Sequence, residues 1–559
     1  MSGKNNTGGH LLVQCLRSLG VTRGFGVPGE SYLDVLDALH DNKEFIQFTL
    51  CRNEGGAAFM AEAYGKLTGS PGICLVTRGP GATNASIGVH TAMQNSTPML
   101  LFIGQVGSTM RGREAFQEID YHAFFGSIAK LVVEIGDVDR IPELVSRAWS
   151  RALSGRPGPV VIALPDDMLT RRSSTQPCRP VRIPEPAPGH AEIEALSARL
   201  LTAEKPLILV GGGAWNTQGS HAITHFAERH GLPIASAFRF NDLIDNHSES
   251  YVGDAGVGMR ASLKAAIAES DLILAIGIRF GEMTTAEYTL LNVPNPACTL
   301  IHSHPSDAEL GKIYSADIPI HAGSNQMSLA LDKISLGEKH WGCRTRELRQ
   351  AYLDSFALGE QDSPVDMVSV IRTVQDHLPE NAIVTNGAGN FAAWPNRFLK
   401  YGAAQRLLAP QSGAMGYGLA AAVAAKVVAP DRTVLCFAGD GDFQMNLQEM
   451  GTAMQADARP VVLILNNGSY GTIRMHQERD YPDRVFGTDL HNPDFVKLAQ
   501  AYGFHAERVE RTDQFADAFH RAITAGNGAV LELMVSTDAS TPTQTLSQIR
   551  QAGREARKS

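Results

Sequence analysis

Hydrophobic runs of strand length alternate with helical patterns along most of this chain. In the first third, the strand-like runs are Gly24–Val27, Phe45–Cys51, Ile73–Thr77, Met99–Ile103 and Val160–Leu164. The stretch His10–Leu19 is amphipathic, and Ala57–Tyr64 is rich in small residues, so both predict helices. Strands that alternate with helices predict a parallel, doubly wound α/β sheet.

The same alternation recurs in the middle and in the last third of the chain. Strand-like runs at Leu207–Val210, Leu272–Ile276 and Thr299–His302 predict a second sheet. Two more, Thr433–Ala438 and Val461–Leu465, predict a third. The predicted fold class is therefore α/β, with three doubly wound parallel-sheet domains. Their predicted bounds are residues 1–175, 190–336 and 364–537.

The segments between and after these domains differ from them in composition. The stretch Arg179–His190 is rich in proline, which predicts an extended linker. The polar helical stretch Gly337–Ser363 is predicted to be a second linker. The last residues, 538–559, are polar and lack apolar periodicity, which predicts a mobile tail.

Composition narrows the class of protein. Hydrophobic residues make up 43% of the chain, charged residues make up 19%, and the net charge is −9. With no basic run, the chain is not expected to bind nucleic acid. The N-terminus has no apolar signal segment, and Leu419–Ala429 is too short to span a bilayer, so no membrane partner is expected. Seven cysteines without a CxxC pair predict a reduced, cytoplasmic protein.

Candidate ligands for a metal follow two predicted strands of the third domain. Gly439-Asp440-Gly441-Asp442 comes directly after the first strand, and Asn467 closes the second. A right-handed crossover brings the carboxyl ends of both strands to one edge of the sheet. Carboxylate and amide oxygens suit Mg²⁺, and the glycines let backbone N–H groups approach a phosphate. Alternatively, the Asp and Asn side chains only cap helices and turns.

A second candidate lies in the first domain. Glu54 stands between a strand-like run and a small-residue helix, so its carboxylate can face a cleft at the strand end. The alternative is a helix-start glutamate that the helix dipole favours.

These two stretches carry a resemblance to a known family. Gly-Asp-Gly paired with Asn-Asn resembles the diphosphate- and metal-binding motif of thiamine diphosphate (ThDP) enzymes. The stretch Arg52–Asn84 resembles the N-terminal domain of acetohydroxyacid synthase (acetolactate synthase) and its relatives. The resemblance extends over most of residues 10–540, sparsely in the middle, through Gly104–Val106, Ala115–Glu118, Ser154–Val160 and Gly413–Ala421. It implies pyrimidine-binding, central Rossmann-like and diphosphate-binding domains.

The resemblance also implies roles for individual residues. Glu54 activates the aminopyrimidine of ThDP, and Met415 lies under the cofactor and bends it into a V. Mg²⁺ is bound by Asp440, by the side chain of Asn467 and by the carbonyl of Ser469. Further cofactor contacts are predicted for Gly387, Gly389, Asn390, Gly413, Gly439, Gly441, Asp442, Tyr470, Gly471 and Thr472. Substrate contacts are predicted for Gly29, Phe116, Gln117, Arg474 and His476, with Gln117 also acting in catalysis.

The chain departs from the family at three places. His476 replaces a tryptophan that favours a larger second keto acid, and Asp166 replaces a lysine. In the central domain, Gly281–Met283 and His302–Pro305 replace the residues with which the family holds FAD, so FAD is an open and doubtful cofactor.

The replacement at His476 bears on the identity of the substrate, because His476 lies close to Arg474 in the sequence. We predict that Arg474 holds an anionic substrate. Alternatively, it only pairs with a nearby acid such as Glu478, at the helical i, i+4 spacing.

The function that the resemblance implies is a ThDP- and Mg²⁺-dependent carboligase or decarboxylase of 2-oxo acids. Acetolactate formation from two pyruvates is the leading specific reaction. Simple decarboxylation and acyl transfer are the alternatives. A non-catalytic, ligand-sensing relative is a further one, although Glu54, Asp440 and Asn467 are intact. The family pairs its two half-sites across subunits, which implies at least a homodimer and commonly a homotetramer.

Overall fold

The computed structural model describes residues 7–337 and 340–557. The first residues of the N-terminal domain, two residues of the predicted second linker and the end of the predicted tail lie outside them. The strands form three six-stranded sheets, and every paired neighbour in them is parallel. Each predicted domain range contains one sheet, so the predicted fold class is confirmed.

The first and third sheets share one strand order. The first consists of β1 (Arg23–Gly26), β2 (Gln47–Leu50), β3 (Gly72–Val76), β4 (Met99–Gln105), β5 (Leu131–Glu134) and β6 (Pro159–Pro165), in the order β2-β1-β3-β4-β6-β5. The second consists of β7 (Pro206–Val210), β8 (Ile234–Ala237), β9 (Tyr251–Ala255), β10 (Leu272–Ile276), β11 (Thr299–Ser303) and β12 (Ile318–Ile320), in the order β12-β11-β10-β7-β8-β9. The third consists of β13 (Ile383–Asn386), β14 (Arg406–Leu408), β15 (Val434–Gly439), β16 (Val461–Asn466), β17 (His505–Val509) and β18 (Ala529–Met534), in the order β14-β13-β15-β16-β18-β17.

Helices connect the strands and cover the sheets. They are α1 (Gly8–Ser18), α2 (Leu33–Asp41), α3 (Glu54–Thr68), α4 (Gly79–Asn95), α5 (Tyr121–Phe125), α6 (Ile141–Leu153), α7 (Asp166–Thr170), α8 (His190–Thr202), α9 (Thr217–His230), α10 (Ala261–Glu269), α11 (Ser324–Leu331), α12 (Trp341–Asp354), α13 (Met367–His377), α14 (Ala393–Arg397), α15 (Tyr417–Val428), α16 (Asp440–Gln444), α17 (Glu449–Gln455), α18 (Gly471–Asp480), α19 (Phe495–Ala501), α20 (Phe515–Thr524) and α21 (Leu546–Ala556). Among the described residues, no helix is both long enough and apolar enough to cross a membrane.

The chain forms two compact units, and each unit is assembled from segments that are not consecutive in the sequence. One contains the described chain up to Pro184 together with Pro410–Asp431 and Gln444–Pro460, and it holds the first sheet. The other contains the rest of the described chain, with the second and third sheets. Helix α15 belongs to the first unit because it packs on α3, where the rings of Phe59 and Tyr417 lie edge to face at 5.4 Å. Local sequence patterns do not reveal that α15 belongs to the unit of the first sheet.

The first predicted linker from Glu185 onward and the described part of the second predicted linker belong to the second unit. The Glu185 carboxylate of the proline-rich segment accepts the backbone N–H of Asn325, on α11, at 3.0 Å. The second predicted linker contains a helix, as expected, but α12 packs on the second sheet. Its Trp341 and Tyr352 side chains are buried in the core beside that sheet.

The prediction of a mobile tail is wrong for the residues that α21 contains. Leu546 and Ile549 are buried. An added Cβ at Gly553 would lie 2.4 Å from the carbonyl oxygen of Arg479, so a glycine lets α21 approach α18 closely. The apolar face of α21 has only a few positions, too few to stand out as a periodic pattern among its polar neighbours.

Candidate active site

The strand order reverses between β1 and β3 in the first sheet and between β13 and β15 in the third. In doubly wound sheets, ligands bind outside the carboxyl ends of the strands at such a reversal. Several predicted site residues follow these strands directly: Gly29 comes after β1, Gly387 comes after β13, and Asp440 comes after β15. The two reversals lie in different compact units.

Glu54 is the first residue of α3, at the turn that leaves β2. The preceding residue, Asn53, caps the helix, since its side-chain oxygen accepts the backbone N–H of Gly55 at 2.8 Å. The amide of Asn84 donates a hydrogen bond of 2.9 Å to Oε2 of Glu54. An added Cβ at Gly81 would lie 3.4 Å from Oε1. Asn84 and Gly81 both lie on α4, so this helix orients the half-buried carboxylate through Asn84 and lies close to it at Gly81.

A second glutamate, which sequence reasoning missed, holds this turn in place. Oε1 of Glu449 accepts the backbone N–H groups of Asn53 at 2.9 Å and of Arg52 at 3.2 Å. Oε2 accepts the Thr452 hydroxyl at 2.6 Å. The carboxylate is fully buried, and this burial raises the pKa of Glu449. An added Cβ at Gly56 would lie 2.5 Å from Oε1, so only glycine permits this approach.

Gly413 and Met415 lie in the loop between β14 and α15. The backbone N–H of Gln411 donates to the Asn95 side chain at 2.7 Å, and Gly416 ends the loop with a φ of 79°. Gly413 is exposed and Met415 is half-buried. The loop is therefore tied to α4 at its start and turned by a glycine at its end.

Asp440 is the acidic member of the predicted metal site. Its Oδ1 accepts the backbone N–H of Gly441 at 2.9 Å. Its Oδ2 accepts the backbone N–H of Gly468 at 2.8 Å and the amide of Asn492 at 2.7 Å. Burial raises the pKa of Asp440, because the charged form loses its hydration. A bound cation would favour the charged form.

The other predicted metal ligands lie on the turn that contacts Asp440. The side-chain oxygen of Asn467 accepts the backbone N–H of Ser469 at 3.0 Å. The backbone carbonyl of Asn467 accepts the Thr537 hydroxyl at 2.7 Å. Amide and carbonyl oxygens keep a second lone pair for a metal. One carboxylate, one amide oxygen and one carbonyl fit Mg²⁺, which takes few protein ligands and completes its shell with phosphate oxygens and water.

Glycines let other side chains pack closely against the strand ends of the third sheet. An added Cβ at Gly387 would lie 2.0 Å from Oδ1 of Asp442, and the backbone N–H of Ala388 donates to that oxygen at 3.2 Å. Gly439 lies against Phe391, where an added Cβ would be 2.9 Å from the ring. No side chain larger than hydrogen fits at these positions.

The segment after β13 contacts the first turn of α18. The backbone N–H of Asn390, which follows Gly389, donates to the Thr472 hydroxyl at 2.9 Å, and this hydroxyl donates to the Asn390 side-chain oxygen at 2.9 Å. Helix α18 begins at Gly471, and Tyr470 provides no side-chain cap for it. An uncapped helix start offers backbone N–H groups to an anion such as a diphosphate.

The predicted substrate residues of the first unit lie together at the reversal between β1 and β3. An added Cβ at Gly29 would lie 2.4 Å from the Thr77 side chain. An added Cβ at Gly79 would lie 2.7 Å from the Gln117 carbonyl. The turn after Ala115 carries Phe116, which is 74% exposed, and Gln117, whose φ of 64° is left-handed.

Arg474 and His476 lie on α18 in the second unit. Nη1 of Arg474 contacts Oδ1 of Asp489 at 3.0 Å. The alternative partner, Glu478, instead accepts a hydrogen bond of 2.5 Å from Arg550 on α21. Arg474 therefore pairs with a nearby acid, as the alternative has it, but that acid is Asp489 and not Glu478, for which α21 supplies a closer cation.

One cavity of the central domain bears on whether FAD fits there. A cavity of about 100 Å³ lies at the carboxyl ends of β10 and β11, lined by Arg279, Phe280, His302 and Tyr314 among others. Pockets that bury small ligands usually measure about 300–1,000 Å³. Nε2 of His302 donates to the Ile278 carbonyl at 3.0 Å, and burial lowers the pKa of this imidazole to about 4. A cavity of this size is smaller than the pockets that usually hold such ligands, which does not favour the adenosine half of FAD here.

Comparison with known proteins gives the family. Residues 6–124 match the family described as "Thiamine pyrophosphate enzyme, N-terminal TPP binding domain", where TPP and ThDP are the same cofactor. Residues 193–331 match the central domain of these enzymes, and residues 387–533 match their C-terminal TPP binding domain. The large subunit of acetolactate synthase isozyme 2 from Escherichia coli K12 is 30% identical, over 94% of this chain and 95% of its own. The chain belongs to the acetolactate synthase family of thiamine pyrophosphate enzymes.

Other members of the family match over a similar length. The acetolactate synthase large subunit of Lactococcus lactis is 32% identical, over 95% of this chain and 93% of its own. That of Parasynechococcus marenigrum is 34% identical, over 93% of this chain and 85% of its own. The protein is therefore a ThDP-dependent enzyme of acetolactate synthase type, as the motifs predicted. The contacts of Glu449 and Asn492 were missed, because nothing in the local sequence around either residue indicates its partner.

Proposed function

We propose that this enzyme is a carboligase that decarboxylates one 2-oxo acid and joins the remaining acyl group to a second carbonyl compound. Formation of acetolactate from two molecules of pyruvate is the leading reaction. The observation that carries the proposal is the Glu54 carboxylate, which Asn84 orients at 2.9 Å on a turn held by Glu449. A relative without catalysis would have no need to keep this buried arrangement.

The residues of both half-sites have distinct roles in the proposal. ThDP supplies, when bound, an acidic thiazolium carbon that becomes the nucleophile. Glu54 would hold a proton at the pyrimidine nitrogen, and Met415 would fix the angle between the two rings. Asp440, Asn467 and the Ser469 carbonyl would hold Mg²⁺, whose charge offsets that of the diphosphate. The remaining glycine and side-chain contacts would position the diphosphate.

We infer that the enzyme works without FAD and as a homodimer or homotetramer in the cytoplasm. The small cavity beside His302 supports the first inference, and the seven free cysteines support the last. Absence of flavin absorbance in the purified enzyme would agree with the first inference, whereas stoichiometric flavin would contradict it. Analytical ultracentrifugation would measure the assembly, and a monomer with full activity would contradict the oligomer.

The test of function is an assay of the purified protein, with ThDP and Mg²⁺, against a panel of 2-oxo acids. Carbon dioxide and ligated product are measured separately, with Glu54→Gln as the matched control. Release of one CO₂ for each molecule of ligated product supports a carboligase, provided that Glu54→Gln releases neither. Free aldehyde would identify a decarboxylase, and product that requires phosphate would identify an acyltransferase. No turnover of any 2-oxo acid would contradict the proposal.

A further inference from the structure

Two cysteines from distant parts of the chain lie side by side in the first unit. Cys15 lies on α1, and Cys178 lies in the segment of residues 171–184, between α7 and the end of this stretch of the unit. The backbone N–H of Cys178 donates to Sγ of Cys15 at 3.5 Å, and Sγ of Cys178 lies 3.9 Å from the carbonyl oxygen of Cys15. Each sulfur therefore lies beside the backbone of the other cysteine, as expected for a pair that can form a disulfide, whose Cα atoms are about 4.4–6.8 Å apart.

The segment that carries Cys178 is already docked on the first unit. The backbone N–H of Gly8, the first residue of α1, donates to the carbonyl of Arg171 at 2.9 Å. Further along the segment, Cys178 and Val181 pack against the hydrophobic core that contains Cys15. A bond between the two sulfurs therefore needs little movement of the backbone.

The two thiols differ in acidity and in access to solvent. The hydrogen bond between them lowers the pKa of Cys178 and raises that of Cys15. Cys15 is fully buried, whereas Cys178 is half-buried. An accessible thiol with a lowered pKa is the one that reacts with an oxidant, and an adjacent thiol then converts the product into a disulfide. Cys178 suits the first role, and Cys15 suits the second.

The other cysteines lack this combination of features. Burial raises the pKa of four further thiols, which makes them poor nucleophiles; they belong to Cys51, Cys74, Cys298 and Cys436. Cys343 is exposed, and its sulfur accepts a hydrogen bond from Arg346 at 3.3 Å. Its described partner is thus a cation and not a second thiol.

We propose that Cys15 and Cys178 form a reversible disulfide when the protein meets a peroxide, which fixes the segment of residues 171–184 covalently to α1. The Cys178 thiolate attacks one peroxide oxygen and becomes a sulfenic acid. The O–O bond breaks, and the other oxygen takes up a proton and leaves as water or an alcohol. The sulfur of Cys15 then attacks the sulfenic sulfur, and the thiol proton leaves with the sulfenic hydroxyl as water.

The two steps balance without a further reactant. The pair of thiols loses two electrons, and the peroxide gains two. A dithiol reductant reverses the reaction by thiol–disulfide exchange. This inference goes beyond the proposed function and does not depend on it, because neither cysteine belongs to the predicted cofactor or substrate residues.

The first test treats the reduced, full-length protein with an equimolar amount of hydrogen peroxide and maps its peptides by mass spectrometry without reduction. We expect a crosslinked peptide that contains Cys15 and Cys178, and dithiothreitol should remove it. Cys343→Ser is the matched control and should form the same crosslink. In Cys15→Ala, the sulfenic acid of Cys178 should persist and be trapped by dimedone. Absence of the crosslink in the treated wild type, or its replacement by a sulfinic acid on Cys178, would overturn the inference.

Thermal unfolding shows whether the bond holds the segment in place. The two cysteines are 163 positions apart, and a disulfide that closes so long a loop restricts the unfolded chain. The oxidised wild type should therefore melt at a higher temperature than the reduced wild type. Cys178→Ser, a substitution at a half-buried position, should melt at one temperature with and without peroxide. Equal melting temperatures for the oxidised and reduced wild type, or the same increase in Cys178→Ser, would refute the inference.

Discussion

The Glu449 carboxylate accepts the backbone N–H of Asn53 at 2.9 Å, although the two residues are 396 positions apart in the chain. This contact fixes the turn from which Glu54 projects. A catalytic carboxylate that is displaced by about 1 Å loses roughly a hundredfold in rate. In the proposed function Glu449 is therefore a positioning residue, and we expect its effect on catalysis to pass through Glu54.

Replacement of Glu449 tests this relationship. In Glu449→Gln, one acceptor oxygen remains, but the amide N–H₂ group opposes the backbone donors of the turn. The variant also avoids the cost of burying a charge, so its melting temperature should change little. We expect kcat to fall about 10²-fold, as measured in steady-state assays, with normal ThDP affinity by calorimetry.

Two further measurements show whether this loss is specific. The exposed Glu555→Gln serves as the control and should keep full activity. If Glu449→Gln unfolds, or if it loses ThDP binding in proportion to its activity, Glu449 has only a structural role.

Glu54→Ala should separate cofactor binding from cofactor activation. The residues predicted for the diphosphate and Mg²⁺ are unchanged, so ThDP should still bind with Mg²⁺. The rate of H/D exchange at the thiazolium C2, followed by NMR, should fall by about 10²–10⁴-fold, the usual contribution of a general acid or base. Exchange at the wild-type rate would mean that Glu54 is only a helix-start residue.

Asn492 should support the proposed metal site through its hydrogen bond of 2.7 Å to Asp440. Loss of a residue that orients a metal ligand typically weakens metal affinity about 10–100-fold. We therefore expect Asn492→Leu to raise the Kd for ThDP with Mg²⁺ by that factor, and Asp440→Ala to abolish binding, both by calorimetry. The exposed Asn527→Ala should bind as the wild type does. Undiminished binding by Asp440→Ala, or binding in excess chelator, would contradict the metal assignment.

The pair between Glu478 and Arg550 should make the attachment of α21 depend on pH. The hydrogen bonds from Arg550 lower the pKa of Glu478 below its ordinary value of 4.5. A carboxylate with a lowered pKa in the folded state stabilises the fold above its unfolded pKa, and this stabilisation is lost as pH falls through the folded pKa. At pH 7 we expect Glu478→Gln to lower the free energy of unfolding by roughly 1–3 kcal/mol.

Thermal unfolding of the wild type and of Glu478→Gln, compared from pH 7 downward, checks this dependence. The difference in melting temperature should shrink as the pH falls below 4.5. The surface contact between Arg479 and Asp480 is a matched control, and Asp480→Asn should have little effect. A difference that stays constant over the whole pH range would show that the pair does not stabilise the helix by charge.

The sequence by itself determined the fold class and the chemistry at the strand ends. Strand-length apolar runs, and the glycines and polar residues that follow them directly, are local features that can be read from the chain. Asp440 and Asn467 were therefore predicted at the carboxyl ends of neighbouring strands, and the structure has them directly after β15 and β16. Glu54 was predicted at a strand-to-helix turn for the same reason.

Only the tertiary structure decided which distant residues hold that chemistry in place. It brought Glu449 to the turn of Glu54, Asn492 to Asp440, and α21 to Glu478. It also joined α15 to the unit of the first sheet. Each of these contacts joins residues that are far apart in the chain, and a polar side chain looks the same in the sequence whether it faces water or a buried partner. The local pattern therefore cannot identify the partner, which packing alone selects.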